Sequence, residues 1–226
     1  MLARVFAVCA YLIGIAGAGF FFIYVIGMGT GHWPRPEESN LSGDWGHNLL
    51  LLLLFAFQHS GMARRRFKQR LGVLARSFYV AASGIVLTAL VLFWQPLPGE
   101  PLWQGPTWIV GISLIAAALT GCCVWRFDHA SFLGLTQVWT GRAEIPTPLC
   151  IDGPYRYVRH PLMLGFLIAI WTQPIMWPEL AMMNAGMTIY VLIAIELEER
   201  DLVEEFGEAY GTYRRRVPML IPWKWW

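Results

Sequence analysis

Charged, aromatic and imidazole side chains crowd into two stretches of the last third of the chain. Tyr155-Arg156-Tyr157-Val158-Arg159-His160-Pro161 opens an apolar run, and Glu196-Leu197-Glu198-Glu199-Arg200-Asp201 closes the next one. Phe206-Gly207, Tyr210, Tyr213 and Arg214 follow in a basic, aromatic tail. If the two apolar runs fold back on each other, both clusters sit at one mouth. Acid, base and aromatic ring together suit a polar, zwitterionic molecule. Proline fits the first position of a helix, where its missing N–H costs nothing, and helix starts favour anions. His160-Pro161 is therefore a place for a carboxylate to dock, with Arg159 as its charged partner or as an interfacial anchor. Glu196, Glu199 and Val203 share one helical face, and Glu198 and Leu202 share a neighbouring one. Because Glu196 and Glu199 come straight after an apolar run, at least one is expected to turn inward and meet a cation.

A third polar group lies upstream. Asn48, Gln58, His59 and Ser60 flank the six leucines Leu49–Leu54, and polar residues at membrane depth need partners. Twelve residues separate His59 from His47, about 18 Å along a helix, which puts His59 near the surface where His160 belongs. Two readings stay open: a histidine hydrogen-bonded between helices, or a ligand, base or orienting group at the mouth of a site. Next comes Arg64-Arg65-Arg66-Phe67-Lys68, a positive anchor on the inner leaflet from which one residue could reach inward.

The elements that position these groups follow from composition. Of 226 residues, 56% are hydrophobic and 14% charged, too apolar for an ordinary soluble domain. Val5–Met28 is long enough to cross about 30 Å of hydrocarbon. His47–Ala63, Tyr79–Gln95, Thr107–Trp125, Leu162–Trp177 and Leu180–Ile195 follow, the last two short and turned by Pro174 and Pro178. The expected fold is an all-α integral membrane protein with about six transmembrane helices, the last two a tight helical hairpin. It forms one unit over 1–226: four N-terminal helices in 1–125, then a loop, the hairpin and a tail in 126–226. The longest connection, Arg126–Arg159, should close over the cytoplasmic end as a cofactor-binding cap. Tyr79–Trp94 and Thr107–Trp125 read as plain spans, with Trp94, Trp103, Trp108 and Trp125 as interfacial anchors. Gly14, Gly17 and Gly19 form a small-residue stripe for close helix packing.

Basic residues other than Arg35 fall on Arg4, Arg64–Arg76, Arg126–Arg159 and Arg200–Lys224, whereas Glu37, Glu38, Asp44, Glu100 and Glu179 mark the other side. Six crossings with both termini cytoplasmic satisfy this distribution. The net charge of +2 thus reflects topology and makes no case for nucleic acid. Cys9, Cys122, Cys123 and Cys150 have neither metal-site nor disulfide spacing, so no metal is expected. No Walker or dinucleotide glycine pattern occurs. Oligomeric state is not legible.

Arg159-His160-Pro161-Leu162-Met163-Leu164-Gly165, followed by Glu198-Glu199-Arg200-Asp201-Leu202, Phe206-Gly207, Tyr210, Tyr213, Val217-Pro218 and Ile221-Pro222, closely resembles the isoprenylcysteine carboxyl methyltransferase and phospholipid methyltransferase superfamily. Upstream, Gln58-His59-Ser60-Gly61-Met62-Ala63-Arg64 and Phe93-Trp94-Gln95-Pro96-Leu97-Pro98 resemble its branch of membrane methanethiol S-methyltransferases and NnrU-like proteins. The resemblance implies S-adenosylmethionine as methyl donor, a small thiol as acceptor, the lipid bilayer of a bacterial inner membrane as location, and dimethyl sulfide as the product from methanethiol. It implies that Tyr155, His160 and Pro161 belong to the donor-binding segment and that Glu198 or Glu199 is the carboxylate that holds the donor. By the donor's chemistry Glu198 or Glu199 would take its ammonium or ribose, Arg159 or the His160 helix start its carboxylate, and Tyr155 or Tyr210 would pack its adenine. Met163 stands where many relatives have tyrosine. An alkyl thiol is a weaker acid than cysteine, whose pKa is about 8.5. A base or a nearby cation is therefore expected, with His59 first and Arg64 or the donor's own charge as competitors. Rival acceptors are a prenylated cysteine carboxylate and a phospholipid amine. A rival of another class follows from NnrU-like relatives and a carotenoid isomerase that share the His-Ser-Gly segment: haem held by His59 with His160.

Overall fold

The computed structural model describes residues 1–35, 43–126, 128–146 and 148–222. Glu37, Glu38 and Lys224, used above to orient the chain, lie outside the described residues. Helices dominate. They are α1 (Leu2–Thr30), α2 (Trp45–Ala63), α3 (Arg65–Leu71), α4 (Ala75–Phe93), α5 (Val110–Arg126), α6 (His129–Phe132), α7 (Leu135–Thr140), α8 (Pro161–Trp171), α9 (Pro178–Phe206) and α10 (Glu208–Arg216). Four helical stretches are long and apolar enough to cross a membrane: Leu2–Thr30, Arg66–Phe93, Thr107–Trp125 and Pro178–Phe206. The other two expected crossings fall short for separate reasons. His47, Asn48, Gln58 and His59 dilute the leucine run of α2, and α8 has 11 residues, about 16 Å of rise.

Small residues set how closely the helices approach. A Cβ on Gly17 would lie 2.4 Å from the carbonyl oxygen of Gly84, so α1 and α4 cross backbone to backbone. Gly14 packs on Val80 in the same seam, while Gly19 faces open space. Around this crossing, Phe21, Tyr24, Val25 and Met28 of α1 meet Leu52 and Phe55 of α2, Leu90 and Val91 of α4, Ile170 of α8 and Met183 and Met187 of α9. Trp94, expected at the interface, is instead part of this core at 6% exposure. Trp108 and Trp125 are exposed, in keeping with anchors. Cys123 is buried and Cys122 exposed, as adjacent helical positions require.

Polar pairs tie the helix ends at the pole away from the charged clusters. The Asn48 side chain donates to the Gln95 carbonyl at 2.8 Å and accepts from its N–H at 2.9 Å. Glu179, fully buried at the start of α9, accepts from Arg35 at 2.9 Å and from the Leu97 N–H at 3.2 Å. The turn between α8 and α9 contributes β2 (Ile175–Met176), which pairs antiparallel with β1 (Trp103–Gln104). At the opposite pole the segment from α6 to α7 docks on the start of α4. The Ser77 hydroxyl donates to the Gly134 carbonyl at 2.9 Å, and Arg76 Nε donates to the Phe132 carbonyl at 2.7 Å. Gly134 has φ 92°, and a Cβ there would strike the Ser77 backbone at 2.8 Å.

Candidate functional site

Pro161 starts α8 with His160 as its N-cap, and the fixed φ of proline suits that position. The tail returns to this point. The Arg159 N–H donates to the Pro218 carbonyl at 2.9 Å and the His160 N–H to the Met219 carbonyl at 3.2 Å. Arg159 itself donates from Nη1 to the carbonyls of Arg214, at 3.2 Å, and Val217, at 2.5 Å. The strand leaving α10 is thereby fastened across the mouth of α8.

Opposite stands α9. Its last turns carry Glu199 on the buried face, 1% exposed, as the spacing led one to expect of either Glu196 or Glu199; Glu196 points outward. Glu199 Oε1 accepts from Arg159 Nε at 2.6 Å and lies 3.2 Å from His160 Nε2. Arg214 Nε approaches Oε2 to 2.9 Å, although not in hydrogen-bond alignment. One buried carboxylate thus gathers three basic side chains, the condition under which a buried charge is tolerated. Glu198 differs: its side chain is 48% exposed, and its neighbour is His160 Nδ1 at 3.7 Å. The adjacent glutamates therefore do different work. Glu199 is buried against Arg159, His160 and Arg214, which ties the tail to the start of α8, and Glu198 stays half-exposed.

Tyr155 and Tyr210 are both near this cluster, but neither presents an open ring. Tyr210 is 1% exposed and packs with Tyr213, Val217 and Phe206; the Tyr213 hydroxyl donates to the Tyr155 carbonyl at 2.6 Å. Burial pushes the phenols of Tyr155, Tyr210 and Tyr213 above their usual range, and for Tyr210 the Glu199 carboxylate adds to the effect. Both rings are thus built into the wall beside the cluster.

His59 resides in a second cluster that the upstream polar run announced only in part. Its Nδ1 is 3.0 Å from the Ser83 hydroxyl, and Nε2 meets the Tyr79 hydroxyl at 2.5 Å. Phe55 stacks on the imidazole with centroids 5.2 Å apart, and Tyr190 of α9 meets it edge-on at 5.8 Å. Arg64, expected beside His59, is exposed at the end of α2. Arg76 lies beside the cluster, its guanidinium 5.3 Å from the centre of the Tyr79 ring. Arg76 was counted in the basic segment Arg64–Arg76, and Tyr79 and Ser83 were missed because Tyr79–Trp94 was read as a plain span. Their spacing, i, i+3 and i+7, was the available signal, since it places all three on one helical face.

The two clusters communicate. Arg76 and Tyr79 lie within electrostatic reach of Glu198, and Tyr155 does so from the other side. His59, Tyr79, Arg76, Glu198, His160 and Glu199 form a polar series at one pole of the bundle, contributed by α2, α4, α8 and α9. Such an arrangement can bind a zwitterion at Glu198 and the α8 start while a nucleophile is ionised near His59. Among the described residues no group of three or more metal-ligating side chains occurs.

Comparison with known proteins places the chain in a family. A family model described as NnrU protein matches residues 49–173. The methanethiol S-methyltransferase 2 of Bradyrhizobium diazoefficiens is 37% identical over 98% of this chain and 92% of its own. The methanethiol S-methyltransferase of Mycobacterium tuberculosis is 33% identical over 94% and 97%. Human nurim is 30% identical over 74% and 71%. No solved structure matches. Identity at this level over nearly the whole length, with the family match running from α2 through α8, makes the chain a member of the NnrU family, in the branch it shares with the methanethiol S-methyltransferases.

Proposed function

We propose that this protein is a membrane-embedded thiol S-methyltransferase that uses S-adenosylmethionine to convert methanethiol to dimethyl sulfide. The observation that carries the reading is the unequal pair Glu198 and Glu199: one carboxylate saturated by Arg159, His160 and Arg214, its neighbour left half-exposed beside a helix start. Relatives named methanethiol S-methyltransferase that match nearly the whole chain support the substrate.

The residues present fit the donor. Glu198 would hold its ammonium, the start of α8 at His160-Pro161 with Arg159 behind it would hold its carboxylate, and Tyr155 and Tyr210 would wall the purine side. Bound there, the donor supplies an electrophilic methyl on a sulfonium. The chain's own part is to align the acceptor sulfur in line, to exclude water, and to take the thiol's proton, for which His59 is the base. Exclusion of water matters because a solvated thiolate is blunted and its attraction to a sulfonium weakened.

In this reading the chain crosses a bacterial inner membrane six times, α2 and α8 being completed by their neighbours, and α8 and α9 form a hairpin. Residues 126–159 and the tail cap the cytoplasmic face, and both termini are cytoplasmic. The small thiol partitions into lipid while the donor comes from the cytosol, so a pocket at the inner surface is reached by both.

The test is headspace detection of dimethyl sulfide from cells producing the protein and fed methanethiol. Wild type is expected to release it, and Glu198→Gln to raise the KM for the donor while the protein stays folded. Purified protein that releases no dimethyl sulfide and shows no calorimetric binding of S-adenosylhomocysteine overturns the proposal.

A further inference from the structure

His59 is the expected base, yet its surroundings leave an acceptor thiol no direct path to it. Both ring nitrogens are engaged, Nδ1 with Ser83 and Nε2 with Tyr79. Phe55 stacks on the imidazole and Tyr190 meets it in a T-shaped contact. A thiol that reached either nitrogen would have to displace a hydroxyl from a partly buried cluster.

Tyr79, in contrast, stands between His59 and Arg76. Its ring lies against the Arg76 guanidinium at 5.3 Å, and both groups are within electrostatic reach of Glu198. Arg76 is fixed in turn by its hydrogen bond to the Phe132 carbonyl and by the Phe132 ring at 4.9 Å. Ser83 is fixed from its other side by Gln58 Nε2 at 3.4 Å. The ionisable and charged groups facing His59 are therefore Tyr79 and Arg76 from α4 and Tyr190 from α9, with Arg64 within reach of Tyr190.

Resting on the methyltransferase reading, we infer that Tyr79 is the catalytic residue that meets the acceptor thiol, relaying its proton to His59, while Arg76 steadies the thiolate. The step begins in the tautomer with the proton on Nδ1, donated to Ser83. The thiol S–H bond breaks and its proton goes to Oη of Tyr79 as the proton of Tyr79 goes to Nε2 of His59. The bonding pair stays on sulfur, leaving a thiolate and an imidazolium. Sulfur then accepts the methyl as the bond from that methyl to the donor's sulfonium sulfur breaks, leaving two neutral thioethers, and the proton on His59 returns through Tyr79 to bulk water. An arginine at this position favours the anion formed, as cations beside cysteine do for its thiolate.

The experiment compares wild type and Tyr79→Phe in proteoliposomes with ethanethiol and with trifluoroethanethiol, which differ little in size but greatly in acidity. The expected result is a loss of about 100-fold or more in kcat/KM for ethanethiol, the scale of a lost acid–base group. With the acidic thiol, already largely ionised, the loss should shrink to a few-fold, and binding of S-adenosylhomocysteine should be unchanged. Equal losses on both thiols assign Tyr79 a structural role and overturn the inference, as does undiminished turnover of ethanethiol. Wild type that methylates neither thiol removes the underlying reading, and this inference with it. If Tyr79→Phe does not fold, wild type alone decides: a solvent deuterium isotope effect with ethanethiol that vanishes with trifluoroethanethiol supports the relay, and equal effects overturn it.

Discussion

Neighbouring residues of one chemical type prove to have opposite assignments, and the difference is burial. Glu199 holds Arg159 and His160 in a site that water does not reach, so removing one partner strands a charge. Arg159→Ala is therefore expected to cost about 3–5 kcal/mol, the scale for an unpaired buried charge. A fall in the thermal midpoint of purified protein checks this. Glu198→Gln, at a half-exposed position, should leave that midpoint nearly unchanged and act on donor affinity alone. Sequence spacing showed that an inward glutamate was needed after the apolar run, and it identified His59 and His160. It could not separate Glu198 from Glu199, because a helical turn of 100° per residue is settled only by what packs against it. Tyr79 and Arg76 were hidden for a related reason: a single aromatic and a single arginine near a span end look like membrane anchors until a partner on another helix is known.

At the level of elements, the α1–α4 crossing and the tail each carry a prediction. Gly17→Val drives methyls into the Gly84 backbone and should abolish recovery of folded protein, whereas Gly19→Ala, facing open space, should shift the thermal midpoint by no more than about 0.5 kcal/mol equivalent. The glycine stripe was legible, but which of its members met a helix was not. The tail is sensitive to alkali. Tyr155, Tyr210 and Tyr213 have folded-state pKa values raised by burial above the unfolded value of about 10. A raised value means that the stability they share is intact below about pH 10 and is lost as pH climbs toward the folded values. Limited proteolysis near residue 207 should accelerate above pH 10, and Tyr213→Phe should reduce that acceleration.

For the whole molecule, the described basic clusters and the start of α1 gather at the pole of the Glu199 site, with Arg35 as the exception, paired to Glu179 at the other pole. A fluorescent protein fused after Trp226 should therefore fluoresce in a bacterial host, and a periplasmic reporter fused there should be silent. The reverse pattern inverts the topology. Composition made the membrane class legible, and charge asymmetry made the poles legible. The count of crossings was harder to read, because α2 is diluted by polar residues and α8 is short, so neither is long and apolar enough by itself.

The helix α9 carries a sealed carboxylate near each extremity, Glu179 held by Arg35 and Glu199 held by Arg159, twenty residues and about 30 Å apart. A rod bolted at both ends can neither slide nor spin without tearing an ion pair out of a dry environment. At Gly207, whose φ of 55° forms the joint, that rod gives way to α10 and the strap of residues 217–222, so any opening of this mouth has first to release the strap's hydrogen bonds to Arg159 and His160.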